Sequence, residues 1–300
     1  IRRSKCFINE NKLFMIIFSD LHAHDFTDYK EGRLELICQV LSQILHDART
    51  SKSPVLFAGD LVHKFGYIPT IVTISLIKVF DQFRDVEIYA ISGNHDQATK
   101  NFIAARSVSF IEVLAGVFPN IHCIDYQQIQ IGDYMVTGVP YMTSSNDFYA
   151  FMNVAQKYNK SILLCHQTPT RLFNDFIPSQ IDIDHDCFDK FDMVFMGHIH
   201  RFQDFGKNRF MVGNPLLQDA GDVGDEKGYL KIVNGNIERV IIKTDLDDLA
   251  ITKQDAKVKA AVKAEKVVNI DTRMYSESFS DKFTAFCDIA KLDPHTVSIG

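Results

Sequence analysis

Apolar runs alternate along the chain with segments whose apolar residues recur at helical spacing, so strands and covering helices should follow one another. "LFMIIF" (13–18) reads as a strand, and Leu34, Ile37, Leu41, Ile44 and Leu45 then repeat at helical spacing. "PVLFAGD" (54–60) is the next strand, "TIVTISLIKVFDQF" after Pro69 the next helix, and "VEIYAISGNHD" (86–96) a third strand. "IHCI", "QIQIG" and "YMVTGVPY" predict further short strands, and a helix near 147–158 precedes "SILLCH" (161–166). "DMVFMGHIH" (192–200), "RFMVGNP", "GYLKIV" and "NIERVIIK" complete the strand set. This alternation is that of an α/β sheet protein.

The texture changes after about residue 246, where "ITKQDAKVKAAVKAEKVV" is a lysine-rich helical pattern and "SDKFTAFCDIA" a second helical candidate. A boundary near 245 divides a main domain (15–245) from a smaller appendage (246–300), and residues 1–14 read as an extension outside the core. Composition adds little to this picture. The apolar fraction of 46% and mean hydropathy of −0.05 describe a globular chain, and no apolar run approaches the roughly 18 residues of a membrane span. "INENK" interrupts any signal-peptide core, which predicts a soluble, cytoplasmic protein. Cys6, Cys38, Cys123, Cys165, Cys187 and Cys287 form no CxxC pair and read as reduced thiols. The net charge of −6 gives no general attraction for nucleic acid.

The chemistry sits at the strand ends. "SDLH", "AGDLVH", "SGNHD", "LCH" and "MGHIH" each follow an apolar strand. In open α/β sheets, ligands gather beyond the carboxyl ends of the strands. Those ends would bring together Asp20, His22, Asp60, Asn94, His95, His166, His198 and His200. Extended alternation would place Asp20 with His22, and His198 with His200, on matching faces. Imidazoles, carboxylates and an amide oxygen suit borderline divalent ions such as Mn²⁺, Fe²⁺ or Zn²⁺. The set is too large for one ion and sufficient for two that share a carboxylate. Two ions about 3.5–4 Å apart can activate a water and stabilise an in-line phosphoryl displacement.

The order D-x-H, G-D, G-N-H-D, H, G-H-x-H resembles the calcineurin-like metallophosphoesterases over residues 15 to 245. The resemblance implies a two-sheet α-β-β-α sandwich with a small C-terminal appendage. It also implies two divalent metal ions, with Mn²⁺ the first expectation. Asp20, His22, Asp60 and His200 would hold one ion, and Asp60, Asn94, His166 and His198 the other. His95 matches the position that acts on the leaving group, with Asp96 or a backbone carbonyl orienting its ring. Within the superfamily, "GDLVH" with His63, and "RFQDFGKNRFMVGNPLLQDAGDVGDEKGYLKI", resemble the SbcD-type DNA repair nucleases and their phage counterparts. That resemblance implies 3′-to-5′ exonuclease action on duplex DNA ends and endonuclease action on single strands. It further implies a homodimer and a coiled-coil ABC ATPase partner of the SbcC type. Another enzyme of the superfamily, acting on cyclic nucleotides, small phosphodiesters or phosphoproteins, is the competing reading. The chain departs from the family in placing Ala23-His24 after D-x-H.

Other polar stretches carry weaker expectations. Lys257, Lys259, Lys263 and Lys266 share one helical stretch that can track phosphates, although a solvated amphipathic helix is the simpler reading. "IDIDHDCFDKFD" reads as a solvated face or helix start, and "NDFYAFMNVAQKY" as helix core. "QDAGDVGDE" reads as a polar loop between closing strands.

Overall fold

The computed structural model describes residues 14–25, 32–64, 66–98, 108–169, 181–218, 222 and 225–244. The chain divides into two units, residues 1–26 with 32–244, and residues 27–31 with 245–300. Of the expected extension 1–14, residues 1–13 lie outside the described residues and Phe14 opens the first strand, while the lysine-rich stretch 253–266, "SDKFTAFCDIA" and Cys287 also lie outside them.

Among the described residues, twelve strands form two six-stranded sheets. The first is built around β1 (Phe14–Phe18), β2 (Val55–Phe57), β3 (Ile88–Ala90) and β4 (Ile121–Cys123), paired in parallel in that order. It is completed by β11 (Gly228–Val233) antiparallel to β1, and β12 (Asn236–Ile241) antiparallel to β11. The second sheet has the order β5 (Gln127–Ile131), β6 (Tyr134–Val139), β7 (Ser161–Cys165), β8 (Met193–Met196), β10 (Arg209–Met211), β9 (Gln203–Asp204). Its four inner strands run parallel and its two edges antiparallel.

Period-two side-chain direction explains the layering. Met15, Ile17, Leu56 and Ile232 of the first sheet share one buried cluster with Val136, Ile162, Leu164, Phe195 and Phe210 of the second. Leu163, Cys165, Val194 and Met196 face the opposite side of their sheet, where they pack with Phe148 and Met152 of α4 (Ser145–Val154). The tract "NDFYAFMNVAQKY" therefore supplies helix core as expected. Phe188, in the short 3-10 turn His185–Phe188, closes the same cluster. On the first sheet's side, α1 (Arg33–Ser51) buries Leu34, Ile37, Leu41, Ile44 and Leu45. The helices α2 (Thr70–Gln82) and α3 (Phe110–Val117) follow in chain order. The arrangement is the expected α-β-β-α sandwich. The helix α3 was not anticipated from periodicity. Its start is fixed by a capping box in which Ser109 accepts the Glu112 N–H and the Glu112 carboxylate accepts the Ser109 N–H.

Candidate metal centre

The strands stop short of the chemistry. β1 ends at Phe18 and β8 at Met196, and Asp20, His22, Asp60 and His198 all have positive φ (54°, 48°, 60° and 91°). Extended alternation therefore does not aim these side chains, and that expectation is corrected. Left-handed turns aim them instead, a conformation that costs a non-glycine residue about 1–3 kcal/mol and that clusters at functional sites. The turns are held by pairing between loops. Asp20, His22 and Ala23 N–H groups donate to the carbonyls of Gly59, Asp60 and Leu61 at 2.9, 3.0 and 2.8 Å.

Glycines permit the approach of these loops. A Cβ on Gly93 would lie 2.1 Å from Asp60 Oδ1, and one on Gly197 would lie 2.4 Å from the Ala58 carbonyl oxygen. This is why "GN" and "GH" precede ligand positions. Across the two sheets, His198 N–H donates to both carboxylate oxygens of Asp20 at 3.1 Å.

The side chains meet in overlapping groups: Asp20, His22 and His200; His22, Asp60 and His95; and Asp60, His166 and His198. His200 Nε2 lies 3.0 Å from His22 Nε2, while Asn94 Oδ1 is 3.2 Å from His166 Nε2 and 3.0 Å from His198 Nδ1. Asp60 Oδ2 stands between the two halves, 3.6 Å from His22 Nε2 and 3.3 Å from His166 Nε2. The donor set fits divalent cations. Two facing imidazole nitrogens can share only one proton, whereas a cation between them uses both lone pairs. His166 Nδ1 bonds the Ala58 carbonyl at 2.6 Å, which leaves Nε2 as the nitrogen facing Asp60.

Burial opposes charge on every group here. In His166 it is overcome by the Asp60 carboxylate, and the pKa is pushed up to about 9. The pKa of His22 is also raised, because Asp20 and Asp60 outweigh burial. In Asp60 and Asp20 burial is outweighed by the surrounding imidazoles, which hold both carboxyls below their ordinary range. Burial prevails at His198, held at about 4 with the His166 charge adding to the effect. The same cause lowers His95, and it takes His63 to about 3 with help from His22.

His95 and His63 sit at the rim of this cluster, with His95's ring 4.8 Å from that of His22 and 5.5 Å from that of His63. The His95 ring is oriented by a backbone carbonyl, since its Nδ1 bonds the His63 oxygen. Asp96 does not do this, so its expected catalytic role is corrected. Its carboxylate is buried and accepts the N–H groups of Asp60, Leu61, Val62 and Gly93 at 2.8, 2.8, 3.2 and 2.9 Å. Asp96 thus ties the "GDLV" turn to the "GNHD" turn. Burial and the Asp60 charge push its pKa up to about 7.

His24 is buried with its ring 5.5 Å from His63 and belongs to none of the ligand groups. Two further features were invisible in the sequence. Tyr141 packs its ring 5.5 Å from that of His198, and "QDAGDVGDE" is more than a polar loop, because Asp222 is buried against Lys227. No local motif marks either one.

Residues 15–202 match the calcineurin-like phosphoesterase family. The chain belongs to that family. Its members use a dinuclear metal centre, and the His/Asp groups above can hold such ions. This phosphoesterase is 24% identical over 211 residues to "Putative phosphoesterase 244L" of Invertebrate iridescent virus 6, covering 68% of this chain and 72% of that one. Among solved structures, TT1561 of Thermus thermophilus aligns with a TM-score of 0.47 at 11% identity, covering 77% of this chain and all of that one. A "Putative 5'-Nucleotidase from Staphylococcus aureus in complex with alpha-ketoglutarate" aligns with a TM-score of 0.43 at 14% identity, covering 82% of this chain and 58% of that one. Among the described residues of this phosphoesterase, no helix is long and apolar enough to cross a membrane.

Proposed function

We propose that this phosphoesterase is a two-cation DNA nuclease, acting on duplex ends and single strands as the partner of a coiled-coil ABC ATPase. The observation that carries the two-cation part is the position of Asp60, whose Oδ2 is 3.6 Å from His22 Nε2 on one side and 3.3 Å from His166 Nε2 on the other. Asp20, His22, Asp60 and His200 would hold one ion, and Asp60, Asn94, His166 and His198 the other. When bound, the ions supply Lewis-acid polarisation of the phosphoryl group and an acidified water.

The chain's own residues do the rest. With Nδ1 tied to the His63 carbonyl, His95 keeps Nε2 for the reacting phosphate. Protonated there, it donates to the departing sugar oxygen, and the negative charge of a bound phosphate favours that protonation. Asp96 holds the Asp60 turn and the Gly93 turn at fixed separation, so the shared carboxylate does not drift when substrate enters.

The DNA assignment is supported by "GDLVH", whose His63 lies beside His95, and by the segment after "GHIH". A homodimer is part of the same reading, and Ile71, Ile74 and Ile77 are exposed on α2. The test is Mn²⁺-dependent digestion of an end-labelled duplex beside hydrolysis of a chromogenic phosphodiester. Shortened duplex products support the nuclease reading. Turnover of the small diester with intact DNA would sink it and favour a small-molecule phosphodiesterase.

A further inference from the structure

Behind His200 lies a buried polar network that the metal-site motifs do not include. Lys227 Nζ bonds Asp222 Oδ1 at 2.7 Å, and both side chains are about nineteen-twentieths buried (5% exposed each). The same ammonium donates to the His200 carbonyl at 3.2 Å, and Asn214 N–H donates to that carbonyl at 3.1 Å. Asp222 Oδ2 accepts from Asn214 Nδ2 at 2.9 Å and from Gln218 N–H at 2.7 Å, and it faces His200 Nδ1 at 4.0 Å. Gln218 Nε2 in turn donates to the carbonyl of Leu21, the residue before His22, at 2.8 Å.

A buried Lys–Asp pair is a costly way to stabilise a fold, since well-packed apolar residues commonly do as well or better. Its placement gives it another use. His200 presents Nε2 to His22 and Nδ1 to Asp222. Histidine ligands of metals usually donate their second ring N–H to a carboxylate or carbonyl, which fixes tautomer and ring orientation.

We propose that Asp222 is a positioning residue for the His22–His200 half of the metal centre, with Lys227 holding it in place. Its Oδ2 faces His200 Nδ1, and through Lys227 and Asn214, which both donate to the His200 carbonyl, it fixes the backbone that carries that ring. Through Gln218 it also steadies the turn carrying His22. This inference rests on the two-cation reading and says which half-site depends on the network.

The experiment is equilibrium titration of the cation-free protein with Mn²⁺ alone, in the wild type, D222N, D222E and K227M, with circular dichroism reporting the fold. Wild type should bind two equivalents. D222N and K227M should keep one near wild-type strength and bind the other about 10- to 100-fold more weakly. D222E should recover part of the loss. Two equivalents of unchanged affinity in folded D222N would overturn the role of Asp222. No binding by the wild type would instead bring down the metal-centre reading and this inference with it.

Discussion

Asp96 accepts the backbone N–H of Asp60 at 2.8 Å, so one buried carboxylate sets the place of the other. Asp96 also takes the N–H groups of Leu61, Val62 and Gly93, and replacing it with alanine would strand four buried donors. A buried donor left without a partner costs about 1–3 kcal/mol, partly recovered by relaxation and entering water. Asp96→Ala should therefore lower stability by more than about 3 kcal/mol in denaturant melts of the cation-free protein. A folded variant of wild-type stability that lost only turnover would restore Asp96 to a purely catalytic role.

Replacing Asp60 itself acts differently. Asp60→Ala removes the oxygen that faces His22 and His166, so both cation equivalents should weaken together. Metal analysis after dialysis checks this, and retention of both ions would refute a shared ligand.

His95→Asn should leave the ligand set intact and remove the group aimed at the leaving oxygen. General acid catalysis contributes about 10²–10⁴-fold, so kcat should fall by that order while bound Mn²⁺ is unchanged. A variant that kept its rate would free His95 of any catalytic part.

Much of this site was legible because its residues travel in short motifs attached to apolar strands. "SDLH", "AGDLVH", "SGNHD", "LCH" and "MGHIH" do converge, since parallel strands present their carboxyl ends together. The aiming of the side chains was not legible. It depends on left-handed turns at Asp20, His22, Asp60 and His198, which alternation along a strand cannot foresee. The choice between Asp96 and a carbonyl as partner of His95 was equally hidden, because it turns on contacts between loops 32 to 35 residues apart in sequence. The eight residues of α3 are too few for periodicity to show, although "SFIE" spells its capping box. Asp222 lies in what reads as a polar loop, as burial leaves no mark on residue type.

Asp125 offers a pH signature away from the ligands. Its carboxyl accepts the Ser92 N–H at 2.9 Å and the Ser92 hydroxyl at 2.6 Å, while burial, with Glu112 of α3 adding, raises its pKa from 3.8 to about 6. A raised carboxyl binds its proton more tightly in the folded state, so its contribution is complete below about pH 4 and is lost as pH rises through 6. The loss is about 3 kcal/mol. Asp125→Asn keeps an acceptor for the Ser92 N–H and does not titrate. The stability difference between wild type and variant should therefore shift against the wild type between pH 4 and 6. A pH-independent difference would show that Asp125 titrates normally.

The shared position of Asp60 is the centre of this account, and diffraction tests it most directly. Crystals equilibrated with Mn²⁺ should show two anomalous peaks, one among Asp20, His22 and His200 and one among Asn94, His166 and His198, with Asp60 touching both. A single peak, or two peaks of which one lies out of reach of Asp60, would contradict it.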